Sequence, residues 1–324
     1  MNSHNLSNPD FFVDKIPVYG KGILAPMDGY SDWPFRSLCR ELGSAISYTE
    51  FINVNDILDF PEKIEMKMAF TESERPVAIQ IYGDEPGRIL GAALRVQELG
   101  PDFIDFNMGC PSGSIANRGA GVGLMRNPLK IARIFRILSS RLQVPITGKI
   151  RLGWDQDCLT YRLVSRIVEE NGGKALAIHA RTKTQGNRGA VDWDAIAEIV
   201  TRINIPVIGN GGVETVDDLQ KMMNHTGCAA VMVGRAAVYN PWIFSGLERE
   251  KVLASQVREM MLTHLDRNLG FYGSELGLRL FRKFAARYLS PYNLPREYRV
   301  KLLTSKNRAE FLSLFNRIEL QIGG

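Results

Sequence analysis

Four cysteines in 324 residues, at positions 39, 110, 158 and 228, are too scattered to supply paired metal ligands and too few to staple a chain of this length with disulfides. Reduced thiols in a reducing compartment are the expectation. No run of about 18 uncharged apolar residues occurs, which excludes a membrane-spanning helix. The first twelve residues lack the basic start and apolar core of a secretory leader. A cytoplasmic monomer, with neither a membrane nor a metal among its partners, is expected. Also missing is the G-x-G-x-x-G turn that follows the first strand of an open dinucleotide-binding sheet; the loop there reads Pro26-Met27-Asp28-Gly29.

What is present is an ordinary globular composition, 45% hydrophobic and 23% charged, with enough apolar surface for a large core. Disorder is expected only in the first ten or so residues. Short β-branched and apolar runs recur at 22–27, 46–51, 77–83, 103–109, 146–153, 175–182, 206–212 and 229–236. Between them lie stretches of helical length at 33–42, 86–99, 128–142, 161–170, 193–202 and 216–224, several opened by Pro or Asp. Eight strands alternating with helices predict a closed (β/α)8 TIM barrel rather than an open doubly wound sheet. After about residue 245 the strand signal stops, and 252–322 reads as helices parted at 270–273 and 291–295. The expected domains are a catalytic α/β barrel over residues 1–244 and a C-terminal all-α helical domain over 245–324.

The net charge of +5 is unevenly spread, because residues 245–324 hold 14 Lys/Arg against 8 Asp/Glu and residues 1–244 hold 26 against 27. The basic tail points to a polyanionic partner or to a merely solvated helical surface. Over 276–289, Arg279, Arg282, Lys283 and Arg287 stack on one helical face, and Leu276, Leu280 and Phe284 recur every four residues on a neighbouring one. Such a face could lie along an RNA backbone.

In an α/β barrel the active site is assembled where the strands end. Here those ends carry Gln80, Asn107, Cys110, Lys149, Arg151, His179, Arg181 and Lys183. Gly209-Asn210-Gly211-Gly212 and Gly234-Arg235 close the last two strands, where the backbone can approach a phosphate; tight βα turns would explain either glycine loop singly. Lys149, within a strand, needs an anion, either the pyrimidine edge of a reduced flavin or Asp105 on the preceding strand. Gln80 could offer a donor and an acceptor to a flavin or base edge, or be a structural hydrogen-bonder. Cys110, held between Gly109 and Pro111 at the rim, would be largely protonated at neutral pH and able to give up a proton, although a cysteine at a strand end is by itself commonly structural.

These residues, in this order, resemble the tRNA-dihydrouridine synthases. The resemblance runs through Leu24-Ala25-Pro26-Met27-Asp28-Gly29, Asp105-Phe106-Asn107-Met108-Gly109-Cys110-Pro111-Ser112, Gly119-Ala120-Gly121 and Lys149-Ile150-Arg151-Leu152-Gly153-Trp154. It continues through His179-Ala180-Arg181-Thr182, Gln185-Gly186, Asp192-Trp193, Asn210-Gly211-Gly212 and Met232-Val233-Gly234-Arg235. It implies FMN contacts from Pro26, Met27, Asp28, Gln80, Lys149, His179, Asn210, Gly211, Gly212, Gly234 and Arg235. It also implies NADPH as reductant, Cys110 as proton donor, Asn107 beside the target base, an RNA-contacting loop with Arg181, Lys183 and Gln185, and a tRNA-binding helical domain. Two departures are Gly113, where family members often carry a Lys or other polar residue, and Asn187, where an aromatic commonly follows Gln-Gly.

The activity so implied is FMN-dependent reduction of the C5=C6 bond of uridine in tRNA, with hydride to C6 and a proton from Cys110 to C5. The rivals are an FMN-dependent reductase of free pyrimidines or enoates, which leaves the basic helical tail without a task, and a non-catalytic tRNA-binding protein, which leaves Cys110, Lys149 and Arg235 without one.

Overall fold

The computed structural model describes residues 8–318. Its strands are β1 (Phe11–Val13), β2 (Ile16–Val18), β3 (Gly22–Leu24), β4 (Ser47–Tyr48), β5 (Ile52–Asn53), β6 (Val77–Tyr82), β7 (Phe103–Met108), β8 (Ile146–Arg151), β9 (Leu176–His179), β10 (Val207–Asn210) and β11 (Ala230–Val233). The helices are α1 (Trp33–Glu41), α2 (Val54–Asp59), α3 (Pro61–Met68), α4 (Pro86–Glu98), α5 (Gly113–Ala116), α6 (Pro128–Arg141), α7 (Tyr161–Glu170), α8 (Trp193–Val200), α9 (Val216–Thr226) and α10 (Arg235–Tyr239). They are followed by α11 (Ala254–Tyr272), α12 (Ser274–Tyr288), α13 (Arg296–Leu303) and α14 (Arg308–Phe315).

Strands β3 to β11 form one parallel sheet in the order β3-β11-β10-β9-β8-β7-β6-β4, with β5 also on β6. Ala45 N–H donates to Gly22 O at 2.8 Å and Leu24 N–H to Ser44 Oγ at 2.9 Å across the seam between β3 and β4, so the eight-stranded barrel closes. The stretch expected as one strand at 46–51 is interrupted. There the Thr49 hydroxyl, not a backbone group, accepts from Gln80 N–H at 3.0 Å, which parts β4 from β5. Helix starts follow local chemistry: Asp192 accepts from Ala195 N–H at 3.0 Å to cap α8, and Thr215 and Asp218 form a reciprocal capping box on α9.

The hairpin β1–β2 and helices α2 and α3 have no counterpart among the expected elements. Val13 and Val18, both fully buried, join Ile23, Ala45, Phe103, Ala175, Ile208 and Ala230 in one apolar cluster near the strand starts. The hairpin therefore plugs the end of the barrel away from the strand ends that bear the polar residues.

The chain divides into two compact units at Gly234 and Arg235. The boundary expected from sequence, 244/245, falls later because α10 has no strand signal against it and packs with α12 of the second unit. In that unit α12 buries Gly277, Leu278, Phe281, Phe284, Ala285 and Tyr288. This corrects the expected apolar face: Phe284 belongs to it, whereas Leu276 is 37% exposed and Leu280 only partly buried. Among the described residues no helix is long and apolar enough to cross a membrane.

One buried ion pair fastens α1 to the segment before β6. Arg36 Nε donates to Glu74 Oε1 at 2.7 Å with both side chains 1% exposed, and its other nitrogens reach Ser31 O at 3.2 Å and Ala69 O at 2.8 Å. Glu74→Ala should destabilise the barrel unit by about 3–5 kcal/mol by stranding the guanidinium. Glu74→Gln, which keeps an acceptor, should cost less. Chemical denaturation of both variants checks the order.

Candidate active site

At the strand ends the polar side chains form one connected chain of hydrogen bonds. Asp105, on β7, accepts from Thr147 Oγ1 of β8 and from Gln80 Nε2 of β6, both at 2.6 Å. Gln80 Oε1 accepts from Asn107 Nδ2 at 2.8 Å, and Asn107 Oδ1 accepts the backbone N–H groups of Gly109 at 3.0 Å and Cys110 at 2.9 Å. Register dictates this pattern, because Gln80 faces Asp105 across β6–β7 and Asp105 faces Thr147 across β7–β8. The chain ends on the peptide of Cys110 and sets where that residue stands. Gln80 has 0% exposure, and both ends of its amide are hydrogen-bonded within the protein. Asn107 likewise commits both ends of its amide to the protein.

Cys110 is partly exposed. Burial pushes its thiol above the ordinary range, against the opposing pulls of the Ser112 backbone N–H and the Arg151 charge. The thiol is therefore protonated at neutral pH.

Lys149 and Arg151 alternate with Ile150 along β8. Lys149 Nζ donates to Asn210 Oδ1 at 2.9 Å, and Asn210 Nδ2 donates to Met232 O at 2.7 Å, linking β8, β10 and β11. The alternative salt bridge to Asp105 does not form; that carboxylate is taken by Thr147 and Gln80. Desolvation, with the like charge of Arg151, pushes Lys149 down to about 8, while Asp105 acts on it only at longer range.

Arg151, singled out in the sequence only by its position, turns out to be a hub. Nε donates to Gly109 O at 2.9 Å, Nη1 to Thr182 O at 3.1 Å and Gly186 O at 2.6 Å, and Nη2 to Asn187 Oδ1 at 3.0 Å. It thus ties the Cys110 turn to the loop after β9. Nothing in the sequence pairs Arg151 with residues over thirty positions away. Asn187, noted as a departure, is one of its acceptors.

The loop after β9 is held largely by its own side chains. Arg181 is only 9% exposed; its Nε reaches Gly189 O at 2.5 Å and its Nη1 lies 3.3 Å from His179 Nε2, so it braces the loop and the imidazole from within. Gln185 accepts from Thr182 N–H at 2.7 Å and donates to Ala190 O at 3.2 Å, closing the loop on itself. Lys183, partly exposed, sits with Nζ 4.2 Å from the centroid of the Trp154 ring.

Gly211 and Gly212 have φ of 104° and 78°. A Cβ on Gly211 would come within 2.6 Å of the His179 ring, and one on Gly212 within 2.8 Å of Val191. Trp193 Nε1 donates to Gly211 O at 3.0 Å and fixes that peptide. Pro26 and Met27 follow β3; Met27 Sδ is 3.4 Å from where a Cβ on Gly234 would stand. The 56% exposed carboxylate of Asp28 pairs with Lys67 of α3 at 2.7 Å. Arg235 opens the second unit directly after Gly234.

In the helical unit Arg279 and Arg287 are exposed. Lys283 Nζ lies 5.0 Å from the Phe284 ring. Arg282 Nη2 donates to Ser305 O at 2.9 Å, tying α12 to the segment between α13 and α14.

The barrel mouth thus holds the partly buried Lys149 with the buried Arg151 and Arg181, yet Asp105 is committed to hydrogen bonds and Glu50 accepts from Gly29 N–H. An enclosed ammonium without a carboxylate, an amide beside it and two side-chain-free peptides fit a flavin mononucleotide, which brings an electron-rich ring edge and a phosphate. Among the described residues no three His, Cys, Asp or Glu gather into a group able to hold a metal.

A family model described as Dihydrouridine synthase (Dus) matches residues 23–321. The chain belongs to the dihydrouridine synthase family. It is 36% identical over 287 residues to tRNA-dihydrouridine synthase B of Pseudomonas aeruginosa, covering 86% of each chain. It is 34% identical over 315 residues to the Pseudomonas syringae pv. tomato protein of the same name, covering 95% of this chain and 90% of the relative. The crystal structure of the Amycolatopsis orientalis BexX/CysO complex aligns with a TM-score of 0.51 at 16% identity, covering 82% of this chain and 97% of that one, a likeness of fold alone.

Two outcomes follow for this dihydrouridine synthase family member. With Lys149 near 8 in the absence of an anion, FMN affinity should be flat below about pH 8 and fall roughly tenfold per pH unit above it, because binding then requires proton uptake. Flavin-fluorescence titration measures this, and Lys149→Met should bind weakly with no such break. Arg151→Gln removes a charge that favours the Cys110 thiolate, so alkylation of Cys110 by iodoacetamide should shift to higher pH. An unshifted profile would reduce Arg151 to a purely mechanical tie.

Proposed function

We propose that this protein reduces the C5=C6 bond of uridine in tRNA to give 5,6-dihydrouridine, with FMN as cofactor and NADPH as reductant. The observation that carries the reading is the placement of Cys110: a protonated thiol, fixed through its own backbone by the Asp105–Gln80–Asn107 chain, beside a cationic barrel mouth in a member of this family. The site is read as that of a cytoplasmic monomer.

A flavin held by these residues would supply hydride chemistry toward C6 of the uracil. Because the double bond is conjugated to the C4 carbonyl, that addition places enolate character on C5, and the Cys110 thiol gives its proton there. Cys110 then takes a proton back from solvent. Asn107 and Arg151 hold the cysteine turn in place from its two sides. Lys149, His179, Asn210, Gly211 and Gly212 are assigned to the cofactor, with Pro26, Met27, Gly234 and Arg235 along its flanks and Asp28 contributing through its backbone. The uridine must leave its stack to reach such a mouth, at a cost of a few kcal/mol that phosphate contacts elsewhere offset. Exposed Arg279 and Arg287 of the helical unit suit such contacts, as does Lys183 on the barrel.

Cys110→Ala should retain flavin and tRNA binding while losing about 10²-fold or more in turnover. In the wild type the rate should fall only at pH above the ordinary cysteine range, as the raised thiol ionises. Cys110→Ser should be slow and lack that alkaline fall. Dihydrouridine formed in unmodified tRNA transcripts, with free uridine as control, is the measurement. An alanine variant at wild-type rate would remove the thiol from the mechanism, and equal turnover of free uridine would remove tRNA as the substrate.

A further inference from the structure

Arg126 and Lys183 stand over one indole. Arg126 Cζ lies 4.8 Å from the centroid of the Trp154 ring and Lys183 Nζ lies 4.2 Å from it. Arg126 is exposed, and Trp154 and Lys183 are partly so. The three residues come from three different loops: the turn Gly121–Arg126, the loop after β8 and the loop after β9.

Backbone contacts hold the loops together. Lys183 N–H donates to Gly153 O and Thr184 N–H to Trp154 O, each at 3.0 Å, and Trp154 N–H donates to Cys158 O at 3.1 Å. Gly153, with φ of 155°, passes so close to Cys158 O that a Cβ would stand 2.1 Å from it. The turn bearing Arg126 is attached to the reacting region, since Val122 N–H donates to Cys110 O at 3.2 Å. The cluster therefore lies on the same rim of the barrel as the thiol.

The electrostatics are one-sided. A cation over an aromatic ring gains about 0.5–1 kcal/mol at an exposed site, but two cations sharing a ring repel each other. Asp155 follows Trp154 in the chain and still pairs with neither; among the described residues no carboxylate forms an ion pair with Arg126 or Lys183. Two organised positive charges without an internal anion are a site for an external one. Because they are two separate heads held at one ring, they suit an extended strand of phosphates better than a single compact anion.

We propose that Arg126, Trp154 and Lys183 form a bracket that grips the phosphate backbone of RNA next to the nucleotide presented to Cys110. The inference rests on tRNA being the substrate and adds a barrel-side contact to those of the helical unit. Arg126 and Trp154 position the strand; they take no part in the proton or hydride transfer.

The test uses flavin-loaded full-length protein with Arg126→Gln, Lys183→Gln and the double variant. Affinity for fluorescently labelled tRNA is measured across a salt series, alongside melting temperature, flavin content and the KM for NADPH. Each single variant should weaken tRNA binding several-fold and flatten the slope of log affinity against log salt by roughly 0.7–0.9, the double variant by more, with flavin content unchanged. Wild-type affinity and slope in the double variant, in a protein that still forms dihydrouridine, would overturn the bracket and leave the activity standing. A raised KM for NADPH with tRNA binding untouched would overturn the RNA assignment in favour of the phosphate of a free nucleotide. A wild-type protein that binds tRNA in the predicted way but never forms dihydrouridine would overturn the proposed reaction and leave the bracket.

Discussion

The constraint on which the site depends is the excess of positive charge enclosed at the mouth of the barrel. Lys149, Arg151 and Arg181 approach one another where the strands end, and Asp105 is already held by Thr147 and Gln80. Charges taken from water need partners. Here the arginines are satisfied by carbonyl oxygens, Gly109, Thr182, Gly186 and Gly189, and the lysine by the amide of Asn210. Neutral acceptors solvate a cation without cancelling it, so the mouth remains attractive to an anion. Burial first, and the like charge of Arg151 second, lower Lys149 to about 8.

That arrangement also links elements that would otherwise move independently. Arg151 joins the turn that carries Cys110 to the loop that carries Lys183, and Asn210 joins three strands. The Cys110 turn and the loop after β9 are therefore joined through one side chain, and β8, β10 and β11 through another. A barrel suits this because each strand delivers its last residues to the same ring, and register sets which side chains meet. Residues 25–31 positions apart, such as Gln80 with Asp105 and with Thr49, become neighbours.

The helical unit shows how close packing overrides a hydrophobic count. Leucines at every fourth position suggest one apolar face of α12, but the buried face is centred on Gly277 and Ala285. A Cβ on Gly277 would stand 2.3 Å from Asn268 O of α11, so the helices meet where the side chains are smallest. Large residues flank that contact and some stay exposed. On the rest of the helix Arg282 donates to Ser305 O, while Arg279 and Arg287 are exposed.

By itself the sequence determined the alternation of eight strands with helices, the end of the barrel where the chemistry gathers, and the residue types that gather there. Those features are local: periodicity, capping residues and strand-terminal glycines are written within a few positions of one another. It did not determine that Gln80 and Asn107 are hydrogen-bonded to one another and to the Cys110 turn, that Arg181 turns inward, that Asp28 pairs with Lys67, or that Arg126 and Lys183 share Trp154. It also left the hairpin β1–β2 and helices α2 and α3 without a signal strong enough to place them, since short elements carry too few residues for a period to show. Only the tertiary structure decided these points, because a hydrogen bond or a cation over a ring depends on which distant segments the closed barrel brings within a few ångströms. Nothing in the one-dimensional pattern encodes that distance.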